Sequence, residues 1–90
     1  MEKKEAFEKY MTMEEWINLP YLARVQADYW ARCCPKLMAS LKKEGTLMKT
    51  LTENGERLSD REIEMVDQGV HLDVARELIM QEVLSPAPEE

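Results

Sequence analysis

An all-α fold, a small helical bundle of about four helices, is what this 90-residue chain predicts, and three observations carry the prediction. Apolar and aromatic residues recur at Leu22, Val25, Tyr29, Cys33, Leu37 and Leu41, every third or fourth position, which lines one face of a helix. A second series of the same kind runs through Ile63, Val66, Val70, Val74 and Leu78. Two stretches, "TMEEW" at 12–16 and "SDREI" at 59–63, place a hydroxyl residue three positions before a glutamate. In that capping box the two side chains satisfy each other's free backbone N–H groups at a helix start.

The elements follow in order. Residues 2–10 read as a frayed helix or a mobile arm, so 1–11 need not belong to the folded body. Thr12 and Glu15 start a helix at Met13, with Met11 and Trp16 as its hydrophobic staple. It must be short, because Leu19 precedes Pro20 and a residue before proline avoids helical geometry. Pro20 suits the first position of the next helix, where a missing N–H costs nothing. The apolar series keeps its phase through Pro35, so one long helix 20–44, kinked at Pro35, is expected, with two abutting helices as the alternative. Gly45 after "LKKE" is a left-handed C-terminal cap. Leu47, Met48 and Leu51 form a short helical face, followed by a turn at Asn54–Gly55. Ser59 and Glu62 then start a C-terminal helix or helix pair, 59–84, whose phase favours continuation through Gly69; Leu72, Ala75, Ile79 and Val83 make a second stripe within it. One helical domain, 1–84, is expected, and the acidic tail 85–90, "SPAPEE", has nothing to bury and is expected to be disordered.

Composition limits the function classes. No run of about 18 apolar residues is present to span a bilayer, and the first eleven residues are charged where a signal peptide is apolar, so a cytoplasmic protein is expected. The net charge of −6 is uneven: residues 1–19 sum to −2, 20–49 to +4 and 50–90 to −8. An acidic balance argues against nucleic-acid binding as the principal task, since that needs clustered Lys and Arg. Cys33 and Cys34 are neighbours and point about 100° apart on a helix, so they neither converge on a metal nor close an easy disulfide. Small buried hydrophobes describe them best.

No catalytic set emerges. His71 is the sole histidine and has no partner residue type that would complete a metal site or a nucleophile–base pair. There is no glycine-rich phosphate loop, so the expectation is a non-enzymatic chain without cofactor or metal. Among the aromatics, Trp16 and Tyr29 read as core. Tyr21 and Trp30 are offset from the apolar stripe and are candidate anchors on a contact surface.

Two stretches resemble known families. "LSDREIEMVDQG", residues 58–69, looks like the opening helix of the helix-turn-helix domain of LuxR-type regulators. That resemblance implies a basic recognition helix next, whereas "VHLDVARELIMQEVL" has one arginine against three acids, so the likeness is a shared capping solution. Residues 21–66, from "YLARVQADYW" to "LSDREIEMV", are similar in layout to the small TnpV-type proteins of mobile elements, and "VARELIMQEV", 74–83, resembles their closing helix. This chain lacks the segment those proteins place between the last two helices. The resemblance implies a phage or mobile-element setting and no catalytic residue.

The leading expectation is an interaction protein that binds and regulates a protein partner through an acidic helical face, for example inhibiting a basic nucleic-acid enzyme by presenting carboxylates where phosphates would lie. Glu56, Asp60, Glu64 and Asp67, with Tyr21 and Trp30, are the candidate contacts. One alternative is a DNA-binding accessory factor or transcriptional regulator using Arg24, Arg32, Lys36, Lys42 and Lys43. Another is a homo-oligomer that buries the apolar arc 70–84 against a second copy.

Overall fold

The computed structural model describes residues 5–89, and its elements are helical throughout that range: a short 3-10 helix (Ala6–Lys9), then α1 (Met13–Ile17), α2 (Tyr21–Cys33), α3 (Pro35–Glu44), α4 (Leu47–Asp67) and α5 (Leu72–Val83). No strand occurs among the described residues. The all-α expectation holds.

The N-terminal segment is anchored from residue 5 onward; residues 1–4 of the expected arm lie outside the described residues. Phe7 and Met11 are buried, and the Phe7 ring stacks on Trp16 with centroids 4.8 Å apart. The capping box at α1 forms as read: Glu15 N–H donates to Thr12 Oγ1 at 3.1 Å, and Thr12 N–H donates to Glu15 Oε1 at 2.8 Å.

The long helix 20–44 is not one kinked helix. Cys34, at φ −133° and ψ 56°, is a single non-helical residue that ends α2, and Pro35 opens α3 at a position that needs no N–H. The buried line on these helices is also shifted by about one residue from the expected one. Ala23, Ala27, Trp30, Cys34 and Met38 are buried, whereas Val25, Tyr29, Cys33, Leu37 and Leu41 flank them half-exposed. Spacings of 4, 3, 4 and 4 carry this line across the break, so helical phase survives although the helix does not.

Both expected boundaries inside 47–67 are corrected as well. α4 runs unbroken for 21 residues, about 31 Å at 1.5 Å per residue, through Asn54–Gly55 and through Ser59. Gly55 makes no turn there; it is buried at the crossing with α2, and a Cβ added to it would lie 2.8 Å from the Ala23 Cβ. Ser59 and Glu62 lie in mid-helix, where no free N–H groups await a cap. The true stop is Gly69, at φ 95°, so the expected continuation gives way to the helix pair. Val70 N–H donates to Met65 O and Gly69 N–H to Val66 O, both at 3.0 Å, which is the Schellman ending that a left-handed glycine permits. Gly45 ends α3 in the same way, at φ 77°, with Thr46 N–H on Leu41 O and Gly45 N–H on Lys42 O. His71 then caps α5, its Nδ1 accepting the Asp73 N–H at 3.3 Å.

α2 lies at the centre. One side joins the 3-10 helix, α1, α3 and the first turns of α4 in a core that includes Phe7, Ala27, Trp30, Met38 and Leu51. The other side meets α4 and α5 around Leu22, Leu58, Ile79 and Val83. Gln26, buried between the helices, donates from Nε2 to Val83 O at 3.2 Å and accepts the Asn54 amide on Oε1 at 3.1 Å, tying α2 to both α4 and α5.

Residues 85–89, expected to be disordered, form a strap along α2 and the start of α3; Glu90 lies outside the described residues. Trp30 Nε1 donates to Ser85 O at 2.8 Å, and Tyr29 hydroxyl donates to Pro86 O at 2.6 Å. Glu89 N–H donates to Cys33 O at 2.8 Å. The Glu89 carboxylate accepts the Lys36 and Leu37 N–H groups at 2.9 and 3.1 Å, so a residue 53 and 52 positions further along the chain supplies the cap that Cys34 does not.

Candidate interaction surface

The continuity of α4 builds the surface. Its buried residues are Leu47, Leu51, Gly55 and Leu58, which turn one side inward and leave the opposite side in solvent. Glu53, Glu56, Asp60, Glu64 and Asp67 are all exposed there, at the three- and four-residue steps that align on one helix face. The four expected acidic contacts are therefore brought together, as a ridge about 16 Å long from Glu56 to Asp67 at 1.5 Å per residue. Had the chain turned at Asn54–Gly55, Glu53 would not continue that ridge. Two arginines stand among the acids. Arg61 is paired with Glu82 of α5, which draws its charge away from the ridge and leaves Arg57 as the cation between Glu53 and Asp60.

The two aromatic candidates separate. Tyr21 is 65% exposed at the first turn of α2, available for contact. Trp30 is 5% exposed and its indole N–H is engaged by the strap, so it is a core residue and not a surface anchor. Both placements follow from the one-residue shift of the buried line on α2, which moves Trp30 inward.

Beside the ridge lies an apolar cleft that periodicity did not reveal. Tyr21 and Leu22 of α2, Ser59, Glu62 and Ile63 of α4, and Arg76 and Met80 of α5 enclose about 480 Å³. The residues of the first C-terminal apolar series prove to be largely outward: Ile63 is 60% exposed, Val66 39%, Val74 47% and Leu78 44%. Breaking the helix at Gly69 rotates α5 independently, and the second stripe, Ala75, Ile79 and Val83, takes the core instead. The available signal was two apolar stripes on α5, of which a hairpin can bury only one.

The basic residues are less available as a set. The Arg24 guanidinium lies over the rings of Trp16 and Tyr21, at 5.6 and 5.9 Å from their centroids, with Nε buried. Lys42 Nζ donates to Lys9 O at 3.3 Å. Arg32, Lys36 and Lys43 are exposed. The cysteine thiols are unpaired, with Cys33 half-exposed and Cys34 buried under the strap. Burial, then the nearby Glu89 and Cys33, push the Cys34 thiol above its ordinary range, so it is protonated at neutral pH. Among the described residues no group of three His, Cys, Asp or Glu side chains is placed to hold a metal ion. No helix of the described residues is long and apolar enough to cross a membrane.

The fold and surface define a small all-α protein with an acidic ridge and an adjoining apolar cleft. Comparison with family models, with curated proteins and with solved structures finds no match.

Proposed function

We propose that this protein is a non-enzymatic interaction module that binds a basic protein surface through the α4 ridge and thereby regulates or inhibits its partner. The observation that carries this is the alignment of Glu53, Glu56, Asp60, Glu64 and Asp67 on the solvent face of one uninterrupted helix. These carboxylates make no contact with the core, so their placement is free to serve recognition. A straight row of negative charge attracts a basic groove over a Debye length of about 8 Å at physiological salt and orients its approach. A nucleic-acid enzyme, whose groove is built to hold phosphates, is the partner class that such a row suits best. The likeness of residues 21–66 and 74–83 to TnpV-type proteins is in keeping with a mobile-element or phage setting for this activity.

The test is partner capture by the wild-type chain and by the triple variant Glu56→Lys/Asp60→Lys/Glu64→Lys, each at low and high salt, with duplex DNA as competitor. Partners of the wild type are expected to be lost on charge reversal, weakened by salt and displaced by DNA. A captured partner indifferent to both salt and charge reversal would refute the proposal.

A further inference from the structure

Beyond Leu58, α4 continues alongside α5: Met65 packs half-buried against the Leu22, Leu58, Ile79 and Val83 cluster, while Ile63 and Val66 stay exposed. Between these helices and the start of α2 the cleft opens, with Leu22 as floor, Met80 as one wall, and Tyr21 and Ile63 standing at the lip, 65% and 60% exposed. A scattered exposed apolar residue needs no explanation, but these side chains converge on one concavity. Met80 adds a flexible, polarizable wall that adapts to an incoming side chain.

Charge identifies the occupant. At about 100° per residue around the α4 axis, Glu56, Asp67 and Asp60 fall within about 60° of Ile63, so the acidic ridge forms the outer bank of the cleft. Opposite it, Arg76 Nε approaches Glu62 Oε1 only to 3.9 Å with Arg76 largely exposed, so neither closes the cleft with a strong bond. A second copy fits poorly: its exposed apolar residues on α5, Leu72, Val74 and Leu78, are flanked by exposed Asp73 and Glu77, which would meet the ridge with like charge. Enclosure of a small molecule is equally poorly served, because the lip residues stand in solvent instead of folding over the cavity.

We propose that the cleft between α2, α4 and α5 seats a basic amphipathic helix of the partner, its apolar side chains entering beside Tyr21, Ile63 and Met80 and its Lys or Arg flank lying on Glu56, Asp60 and Asp67. This rests on the ridge being a binding surface and names the element of the partner's basic surface that meets it, a helix at the wall of the groove. Helix-in-groove recognition places apolar anchors at three- and four-residue steps, so pattern as well as charge is read.

The test uses the full chain and short fluorescein-labelled peptides of leucine and lysine: one with the leucines on a single helix face, an isomer with the same composition and dispersed leucines, and a version with glutamate for lysine. Fluorescence anisotropy at physiological salt is expected to show the patterned peptide binding about tenfold tighter than its isomer, the effect of roughly one well-buried aliphatic side chain. Ile63→Ser is expected to remove most of that preference while leaving the dispersed isomer's affinity unchanged. Asp60→Lys is expected to weaken both peptides alike. Because Ile63 is exposed, its variant should fold; Tyr21→Ser, at an equally exposed position, provides an independent second variant, and circular dichroism verifies both. Equal binding of the two lysine isomers overturns the cleft assignment and leaves the ridge standing. Equal binding of the lysine and glutamate peptides overturns the ridge itself. A wild-type dimer in sedimentation that Ile63→Ser dissociates assigns the cleft to a second copy and also overturns the proposal.

Discussion

Gly55 of α4 meets Ala23 of α2 so closely that a Cβ on Gly55 would lie 2.8 Å from the Ala23 Cβ and 3.0 Å from its backbone nitrogen. These atoms belong to a helix backbone and its first side-chain carbon, so they cannot swing aside. Gly55→Ala gains about 0.5–1 kcal/mol of helix preference and incurs overpacking of about 1–3 kcal/mol. A net loss of stability in urea unfolding is expected, with at most partial recovery in the double variant Gly55→Ala/Ala23→Gly, since the backbone nitrogen of residue 23 stays 3.0 Å away. A Gly55→Ala protein more stable than wild type would show that the helices do not approach as described.

The Gln26 amide is a three-helix tie. Asn54→Ala leaves the buried Oε1 of Gln26 without its partner and is expected to cost about 1–3 kcal/mol. Gln26→Leu, which removes both polar ends while keeping volume, still frees Val83 O and Asn54 and is expected to be destabilising as well. Thermodynamic coupling between the two positions in a double-mutant cycle is the measurement; additive effects would mean that the contact contributes nothing to stability.

Trp30 belongs to the core and the strap. Trp30→Phe removes the indole bond to Ser85 O and is expected to lose about 1 kcal/mol, and Trp30→Ala about 3–5 kcal/mol. In hydrogen exchange, Glu89→Ala is expected to raise the rates of the Lys36 and Leu37 amides, which the Glu89 carboxylate holds, without changing that of Leu51. Unchanged rates at Lys36 and Leu37 would place the strap off the α3 terminus.

Alkaline pH should unfold the protein more readily. The Cys34 thiol is pushed above its ordinary value of 9.0, first by burial and then by Glu89 and Cys33, so the folded state favours its neutral form. Stability is then full below the unfolded value and falls as pH rises from there through the folded one. Tyr29 is displaced in the same direction, first by burial, so Cys34→Ser is expected to remove part of the alkaline loss and not all of it. Urea midpoints for wild type and Cys34→Ser across this range measure the difference; parallel curves would refute it.

Charge reversal on the ridge should leave the fold intact. Glu56, Asp60 and Glu64 are exposed and have no core contact, and such surface substitutions usually change stability by less than about 0.5 kcal/mol. An unchanged melting temperature for Glu56→Lys/Asp60→Lys/Glu64→Lys, alongside lost partner binding, separates recognition from folding. A large drop in melting temperature would mean that the ridge is structural.

The start of α1, the caps at Gly45 and His71 and the acidic character of the α4 ridge belong to short-range chemistry. Thr12 and Glu15 satisfy each other's backbone groups within one turn. Ser59 and Glu62 carry the same pattern, yet they sit inside α4, because a capping box acts only where the chain leaves N–H groups free. Asn54–Gly55 has the composition of a turn, and burial against Ala23 makes it the contact point of a crossing.

By itself, the amino-acid order determined that the chain is helical, where one of its short helices begins, and that acids gather in its C-terminal half. Tertiary packing decided which of two apolar stripes on α5 is inside, that Trp30 is buried while Tyr21 is not, that Glu89 caps the start of the sequence-distant α3, and that a cleft exists beside Ile63. Local hydrogen bonds are closed within a turn and can be read along the chain. Burial depends on which helices meet and at what rotation, and here a single left-handed glycine at 69 and a missing side chain at 55 set both.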